Sequence, residues 1–151
     1  QKLAVLERHH ASGRVGLGIL RGFDIKNGAI ATTVGHDSHN LVVVGDNDAD
    51  MLQAVDVLEE CGGGYVVVSN GEVLAKLVLS VAGLMSDAPL ESILKHQREL
   101  LAAAQQLGIH TQSDPFITLS FIALPVIPDV RLTDMGLFDV RTMEFVNKVN
   151  P

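Results

Sequence analysis

Two Asn-Gly pairs, Asn27-Gly28 and Asn70-Gly71, are the sequence features that most constrain how this chain folds. Asn-Gly pairs favour tight turns because both residues readily adopt positive φ. The first pair precedes a β-branched run at 29–34, which predicts a strand. The second pair joins two further apolar runs, at 65–69 and 72–79, and therefore predicts a two-residue hairpin.

The rest of the chain adds helices and further strands to this framework. Apolar residues at helical spacing predict two main helices, over about 48–61 and 88–107. The apolar run at 41–45 predicts a buried strand, whereas the glycine-rich segment 13–22 is expected to be irregular. Residues 116–124 are apolar, and their periodicity favours neither helix nor strand. Together these features predict an α+β fold, with a mixed, largely antiparallel sheet packed against the two helices.

Length and charge limit the domain count and the partners. A chain of 151 residues is long enough for one domain and too short for two, so we expect a single domain over 1–151. The formal net charge is −7 and no cluster of basic residues occurs, which argues against nucleic acid or an anionic membrane as a partner. Cys61 is the only cysteine, which excludes an internal disulfide and favours a reducing, cytoplasmic setting.

Part of the surface of this chain is expected to be covered by another protein segment. The mean hydropathy of +0.29 is typical of a chain that buries some of its surface against another protein segment. The sequence starts at Gln1, directly before strand-like alternation, and we expect the chain to be part of a longer polypeptide.

The segment with the richest chemistry is Gly35-His36-Asp37-Ser38-His39-Asn40, called the 35–40 loop below. Polar residues between buried strands need partners, so we expect this loop at one end of the sheet, facing a cleft or an interface. The candidates for substrate contact are therefore His36, Asp37, Ser38, His39 and Asn40. His9 and His10 join them only if the first strand lies adjacent.

Two other interpretations of the 35–40 loop remain open at this stage. The spacing of His36 and His39 suits metal ligation, but two histidines alone do not make a metal site. In the simplest interpretation, Asp37, Ser38 and Asn40 cap turns through side-chain-to-backbone hydrogen bonds, and the histidines lie at the surface.

Seven segments of the chain carry a family pattern. They are Glu7-Arg8-His9-His10-Ala11-Ser12-Gly13, Gly16-Leu17-Gly18, Gly28-Ala29-Ile30-Ala31, Val34-Gly35-His36-Asp37-Ser38-His39-Asn40, Gly62-Gly63-Gly64, Ala82-Gly83-Leu84-Met85-Ser86, and Asp114-Pro115-Phe116 through Leu119-Ser120-Phe121. In this order they resemble the C-terminal domain of bacterial adenine deaminase. The combination of E-R-H-H with H-D-S-H-N is specific, whereas any single piece is weak.

The resemblance implies an enzyme of the amidohydrolase superfamily that converts adenine and water to hypoxanthine and ammonia in purine salvage. It also implies a catalytic TIM barrel that binds a divalent metal ion, manganese or iron, through ligands that typically begin with H-x-H. The chain has no H-x-H and no room for a barrel of roughly 200 residues. We therefore expect no metal site and no complete catalytic site in this chain.

As part of such an enzyme, the 35–40 loop is expected to help close or assemble the active site at the barrel mouth, supported by His9 and His10. One alternative is a non-catalytic domain that stabilises the barrel or a homo-oligomer. Another is an independent small metalloprotein that uses His9, His10, His36 and His39.

Overall fold

The structure is a computed structural model that describes residues 1–110 and 113–146. The sequence also predicts a C-terminal tail over 145–149, of which residues 147–149 lie outside the described ranges. In chain order the elements are β1 (Lys2–Leu6), β2 (Val15–Ile19), β3 (Gly28–Thr32), β4 (Leu41–Gly45), α1 (Asp48–Glu60), β5 (Gly64–Ser69), β6 (Glu72–Val78), α2 (Leu90–Gln106), α3 (Pro115–Ile122), β7 (Val130–Thr133), β8 (Gly136–Asp139) and β9 (Glu144–Phe145).

The strands form two antiparallel sheets. The larger sheet has six strands in the order β2-β1-β4-β3-β5-β6, and the smaller one has the order β7-β8-β9. The predicted α+β fold is confirmed, and both predicted helices are present as α1 and α2. Each pairing between named strands of the described part is antiparallel, where the prediction allowed a mixed sheet. The undecided segment after residue 115 forms the short helix α3.

The central strands β3 and β4 of the six-stranded sheet are buried on both faces. Alternate side chains of a strand point to opposite faces, and in β4 Val42 and Val44 enter one core while Leu41 and Val43 enter the other. The first core is completed by residues of α2, α3 and Leu132 of the small sheet, and the second core by α1. This burial on both faces explains why the 41–45 run is apolar throughout.

The two Asn-Gly pairs have different roles. Asn70 and Gly71 have φ of 50° and 81° and connect β5 to β6, as the sequence predicts. Both of their backbone N–H groups donate to the buried carboxylate of Asp50 in α1, at 3.1 and 2.8 Å. Asn27 also has positive φ, but it makes a turn without a hairpin, because β3 pairs with β4 and β5.

The expectation that segment 13–22 is irregular is wrong, because Val15–Ile19 forms the edge strand β2. Its glycines point toward the small sheet, which packs directly on them. A Cβ atom at Gly16 would overlap with the backbone oxygen of Thr133, and one at Gly18 would lie 3.3 Å from a methyl group of Leu132. The glycines therefore allow close contact between two sheets, an effect that outweighs their weak strand propensity.

Only part of the leucine-rich stripe of α2 is buried. Leu100, Ala104 and the following Leu107 are buried, but Leu90 and Leu94 are 64% and 41% exposed. Leu94 follows the half-buried Ile93 by one residue, or about 100° around the helix, and so points away from the sheet.

In the described residues, no helix is long and apolar enough to cross a membrane.

We predict that Gly16→Ala lowers the free energy of unfolding by about 1–3 kcal/mol, the usual cost of overpacking a core, because backbone must move to admit the new methyl group. Urea-induced unfolding measures this difference.

Gly18→Ala is the matched control. We expect it to change stability by less than about 1 kcal/mol, since the end of a flexible side chain can yield and alanine is intrinsically favoured over glycine. Equal effects of the two substitutions would contradict the packing described for Gly16.

Candidate functional site

The 35–40 loop lies at the end of the sheet where β1, β3 and β4 meet. Leu6, the last residue of β1, pairs with Leu41, the first residue of β4. The loop that follows β1 therefore starts beside the 35–40 loop. This adjacency is the condition under which His9 and His10 were expected to approach the loop, and the structure meets it.

The first half of the 35–40 loop is attached to α3. The backbone N–H of His36 donates to the carbonyl oxygen of Ser120 at 2.9 Å. The His36 ring packs on the Phe121 ring, with centroids 4.0 Å apart and planes tilted by 34°. A hydrogen bond and a ring contact thus fix His36 while leaving its side chain exposed.

The second half of the loop is held by the segment that follows β1. The Nε2–H of His9 donates to the carbonyl oxygen of Ser38 at 2.7 Å. The Nε–H of Arg8 donates to the carbonyl oxygen of His39 at 2.6 Å. His9 therefore contacts the loop, whereas the His10 ring has no hydrogen-bond partner among the described residues; the role proposed for either histidine stays a prediction.

Asn40 connects the loop to the small sheet. Its side chain is buried and its Nδ2–H donates to Asp134 Oδ1 at 3.1 Å. The other carboxylate oxygen of Asp134 accepts from Arg14 Nε at 2.8 Å. Asp134 and Arg14 could not be found from the sequence. Their contacts join residues more than 90 positions apart, and no local pattern indicates such contacts.

The loop turns sharply at non-glycine residues. Asp37 and His39 have φ of 69° and 48°, whereas Gly35 does not have positive φ. The left-handed conformation costs roughly 1–2 kcal/mol for a residue with a Cβ atom. The surrounding hydrogen bonds must offset this cost, so the shape of the loop depends on its neighbours.

The exposed groups of the loop remain available for contact. His36, Asp37 and Ser38 are exposed, and the Asp37 carboxylate accepts no hydrogen bond within the described part of the chain. His39 is half-buried, and its Nδ1 atom is buried without a partner among the described residues. The turn-capping interpretation is wrong: over the described ranges, the Asp37, Ser38 and Asn40 side chains make no hydrogen bond to backbone, and the loop is held by other segments.

The same histidines do not assemble a metal site. Within residues 1–110 and 113–146, no group of three His, Cys, Asp or Glu side chains is placed to hold a metal ion. The alternative of a small metalloprotein that uses His9, His10, His36 and His39 therefore has no support from the arrangement of these residues.

A carboxylate organises the segment that carries His9 and His10. Glu7 accepts hydrogen bonds from the N–H groups of His9 and His10 at 2.6 and 2.8 Å, and from the Ser12 hydroxyl at 2.6 Å. The Ser12 hydroxyl and, to a smaller extent, the backbone N–H groups of this turn lower the pKa of Glu7 from 4.5 to about 2. A lowered pKa means that this contribution to stability is full above pH 4.5 and is lost as the pH falls through about 2.

Two further segments reach the same end of the sheet. An Nη–H of Arg8 donates to the carbonyl oxygen of Ala82 at 2.9 Å. The buried Thr33 hydroxyl donates to the Gly83 carbonyl oxygen at 2.7 Å, and a Cβ atom at Gly63 would lie 2.7 Å from the Gly83 Cα. The segments around residues 8, 36, 63, 83 and 120, distant in sequence, are thus linked by direct contacts at this end of the sheet.

Most of the segments that carry the family resemblance therefore meet in space. A family model described as adenine deaminase C-terminal domain matches residues 1–144. The chain belongs to this family. The match to the adenine deaminase C-terminal domain family includes nearly all of the described residues.

Several curated relatives of this adenine deaminase C-terminal domain are much longer proteins. It is 57% identical over 145 residues to the adenine deaminase of Nitratidesulfovibrio vulgaris (strain DP4), covering 95% of this chain and 25% of the relative. It is 51% identical over 147 residues to adenine deaminase 2 of Latilactobacillus sakei, covering 97% of this chain and 25% of the relative. It is 49% identical over 145 residues to the adenine deaminase of Bacillus licheniformis, covering 96% of this chain and 25% of the relative. The chain spans about a quarter of the length of these relatives.

We predict that Ser12→Ala raises the pKa of Glu7 from about 2 toward 4.5, because the Ser12 hydroxyl is the largest cause of the lowering. NMR titration of the Glu7 carboxyl carbon, with the His9 and His10 amides as reporters, measures the midpoint. Ser80→Ala, which removes a hydroxyl that bonds Asp87 instead, is the control. A midpoint that stays near 2 in Ser12→Ala would contradict the described geometry.

Proposed function

We propose that this chain is the C-terminal part of an adenine deaminase, and that its 35–40 loop helps to close the active site formed by the catalytic part of the polypeptide. The observation that carries this proposal is the combination of family membership with a loop that is held by hydrogen bonds from other segments yet presents unpaired polar groups. The proposed reaction is the hydrolysis of adenine to hypoxanthine and ammonia.

The unpaired groups support a role at a closing interface. A buried polar atom without a partner costs about 1–3 kcal/mol, so the Nδ1 atom of His39 favours a partner from outside the described residues. The Asp37 carboxylate can accept hydrogen bonds from an exocyclic amino group or a ring N–H of a purine. Such contacts gain strength when closure excludes water from the site.

In this proposal the metal ion is bound outside the described residues. We infer that manganese or iron is bound by the catalytic barrel, since the described residues offer no group of three ligating side chains. The ion would supply the activated water for hydrolysis. The contribution of this domain is limited to positioning polar groups and excluding solvent. A reducing, cytoplasmic location agrees with the single cysteine.

One observation favours a second candidate, a domain that stabilises the barrel or a homo-oligomer without contacting substrate. Leu17 and Ile19 on the edge strand β2 are 73% and 78% exposed. Exposed apolar side chains on an edge strand are typical of a covered surface. Kinetic effects of substitutions in the 35–40 loop separate this candidate from the proposed closing role.

We predict that Asp37→Ala and His39→Ala, each made in the full-length enzyme, lower kcat for adenine deamination by about 10- to 100-fold. A hydrogen bond that involves a charged group contributes about 1.5–3 kcal/mol, which corresponds to a factor of this size. Steady-state kinetics measures the change, and metal analysis should show unaltered metal content.

Two substitutions at exposed positions of the same domain serve as controls. Asp56→Ala removes a carboxylate from the outer face of α1, and His110→Ala removes an imidazole remote from the loop. Both should leave kcat unchanged. The closing role is refuted if the loop variants have the kinetic constants of these controls.

A further inference from the structure

We propose that Arg8 is a positioning residue that sets the conformation of the 35–40 loop and thereby controls turnover in the full-length enzyme. The proposal rests on the function proposed above for the loop. Arg8 lies in the segment that connects β1 to β2.

The first observation is the geometry of the guanidinium group. Its Nε–H donates to the His39 carbonyl oxygen at 2.6 Å, and an Nη–H donates to the Ala82 carbonyl oxygen at 2.9 Å. One planar group thus links the 35–40 loop to the turn that carries the Ala82-Gly83 pair. Only arginine offers donors in a rigid fork of this kind.

The second observation is the conformation of the residues that Arg8 holds. His39 has φ of 48° and Ala82 has φ of 56°, and both carry a Cβ atom. Such residues persist in the left-handed region when surrounding contacts over-determine them. Arg8 bonds the carbonyl oxygens of both residues, so one side chain restrains two unfavourable backbone conformations.

The third observation concerns the charge of Arg8. Among the described residues it forms no ion pair, in contrast to Arg14 with Asp134 and Arg141 with Asp139. Arg8 is half-buried, and this desolvation lowers its pKa. Its hydrogen bonds go to backbone carbonyl oxygens, which shape a loop, and not to a carboxylate, which would neutralise the charge.

The two halves of the loop depend on different anchors. His36 is held by Ser120 and Phe121 of α3, whereas the carbonyl oxygen of His39 is held by Arg8. Loss of Arg8 should therefore loosen the backbone around His39, while His36 keeps its position and His9 and Asp134 still hold Ser38 and Asn40. The groups that would be misplaced are those proposed to approach the substrate.

The test is made in the full-length enzyme with Arg8→Ala and Arg8→Lys. A reactive group misplaced by about 1 Å costs on the order of 100-fold in rate, so we expect kcat of Arg8→Ala to fall by about that factor. Arg8→Lys should recover part of the loss, because an ammonium group can bond one of the two carbonyl oxygens. Added guanidinium ion should partly restore Arg8→Ala.

Amide hydrogen exchange provides the readout that is independent of activity. In both variants exchange should accelerate at residues 37–40 and at 82–83, while α1 keeps the rates of the unsubstituted enzyme. Arg98→Ala, which removes an exposed arginine from α2, should change neither kcat nor exchange.

The outcomes separate the two proposals. Unchanged exchange at residues 37–40 in both Arg8 variants would overturn the positioning role of Arg8. Faster exchange there with unchanged kcat would overturn the function proposed for the loop and leave Arg8 as its conformational anchor only. Faster exchange with reduced kcat, partly recovered in Arg8→Lys, supports both.

Discussion

The antiparallel pairing of β1 with β4 brings together the two segments on which the candidate site depends. Leu6 lies opposite Leu41, so the chain leaves β1 beside the point where it enters β4. The next pair along these strands, Val5 and Val42, is buried. Both faces of β4 are covered, so a shift of this register by one residue would exchange the side chains that pack into the two cores. The position of the 35–40 loop depends on this register.

The 35–40 loop is held mainly by hydrogen bonds that come from other segments of the chain. Arg8 and His9 bond the carbonyl oxygens of the 35–40 loop, Ser120 accepts from its first half, and Asp134 accepts from Asn40. Each contact joins parts of the chain that are distant in sequence. The result is a loop with non-glycine residues in the left-handed region that nevertheless keeps a defined shape. Such a shape is what a surface needs in order to complete a site formed by another domain.

Local patterns in the sequence predicted the fold well, and non-local contacts limited what could be said of the site. The Asn70-Gly71 hairpin and the helices α1 and α2 follow from residues that are neighbours in sequence. β2 could not be predicted, because its glycines are explained only by contact with the small sheet. For the same reason the anchoring roles of Arg8 and Asp134 were missed, whereas the 35–40 loop was found from its polarity between two apolar runs. Its functional role stays a prediction.

In the proposed function, the sheet end carrying the 35–40 loop packs against the catalytic part of the polypeptide. A comparison of amide hydrogen exchange between this chain alone and the full-length enzyme tests this packing. We expect exchange at residues 36–40 to be slower in the full-length enzyme and to slow further when adenine is bound. Equal exchange at these residues in all three samples, with protection confined to β2, would contradict the account.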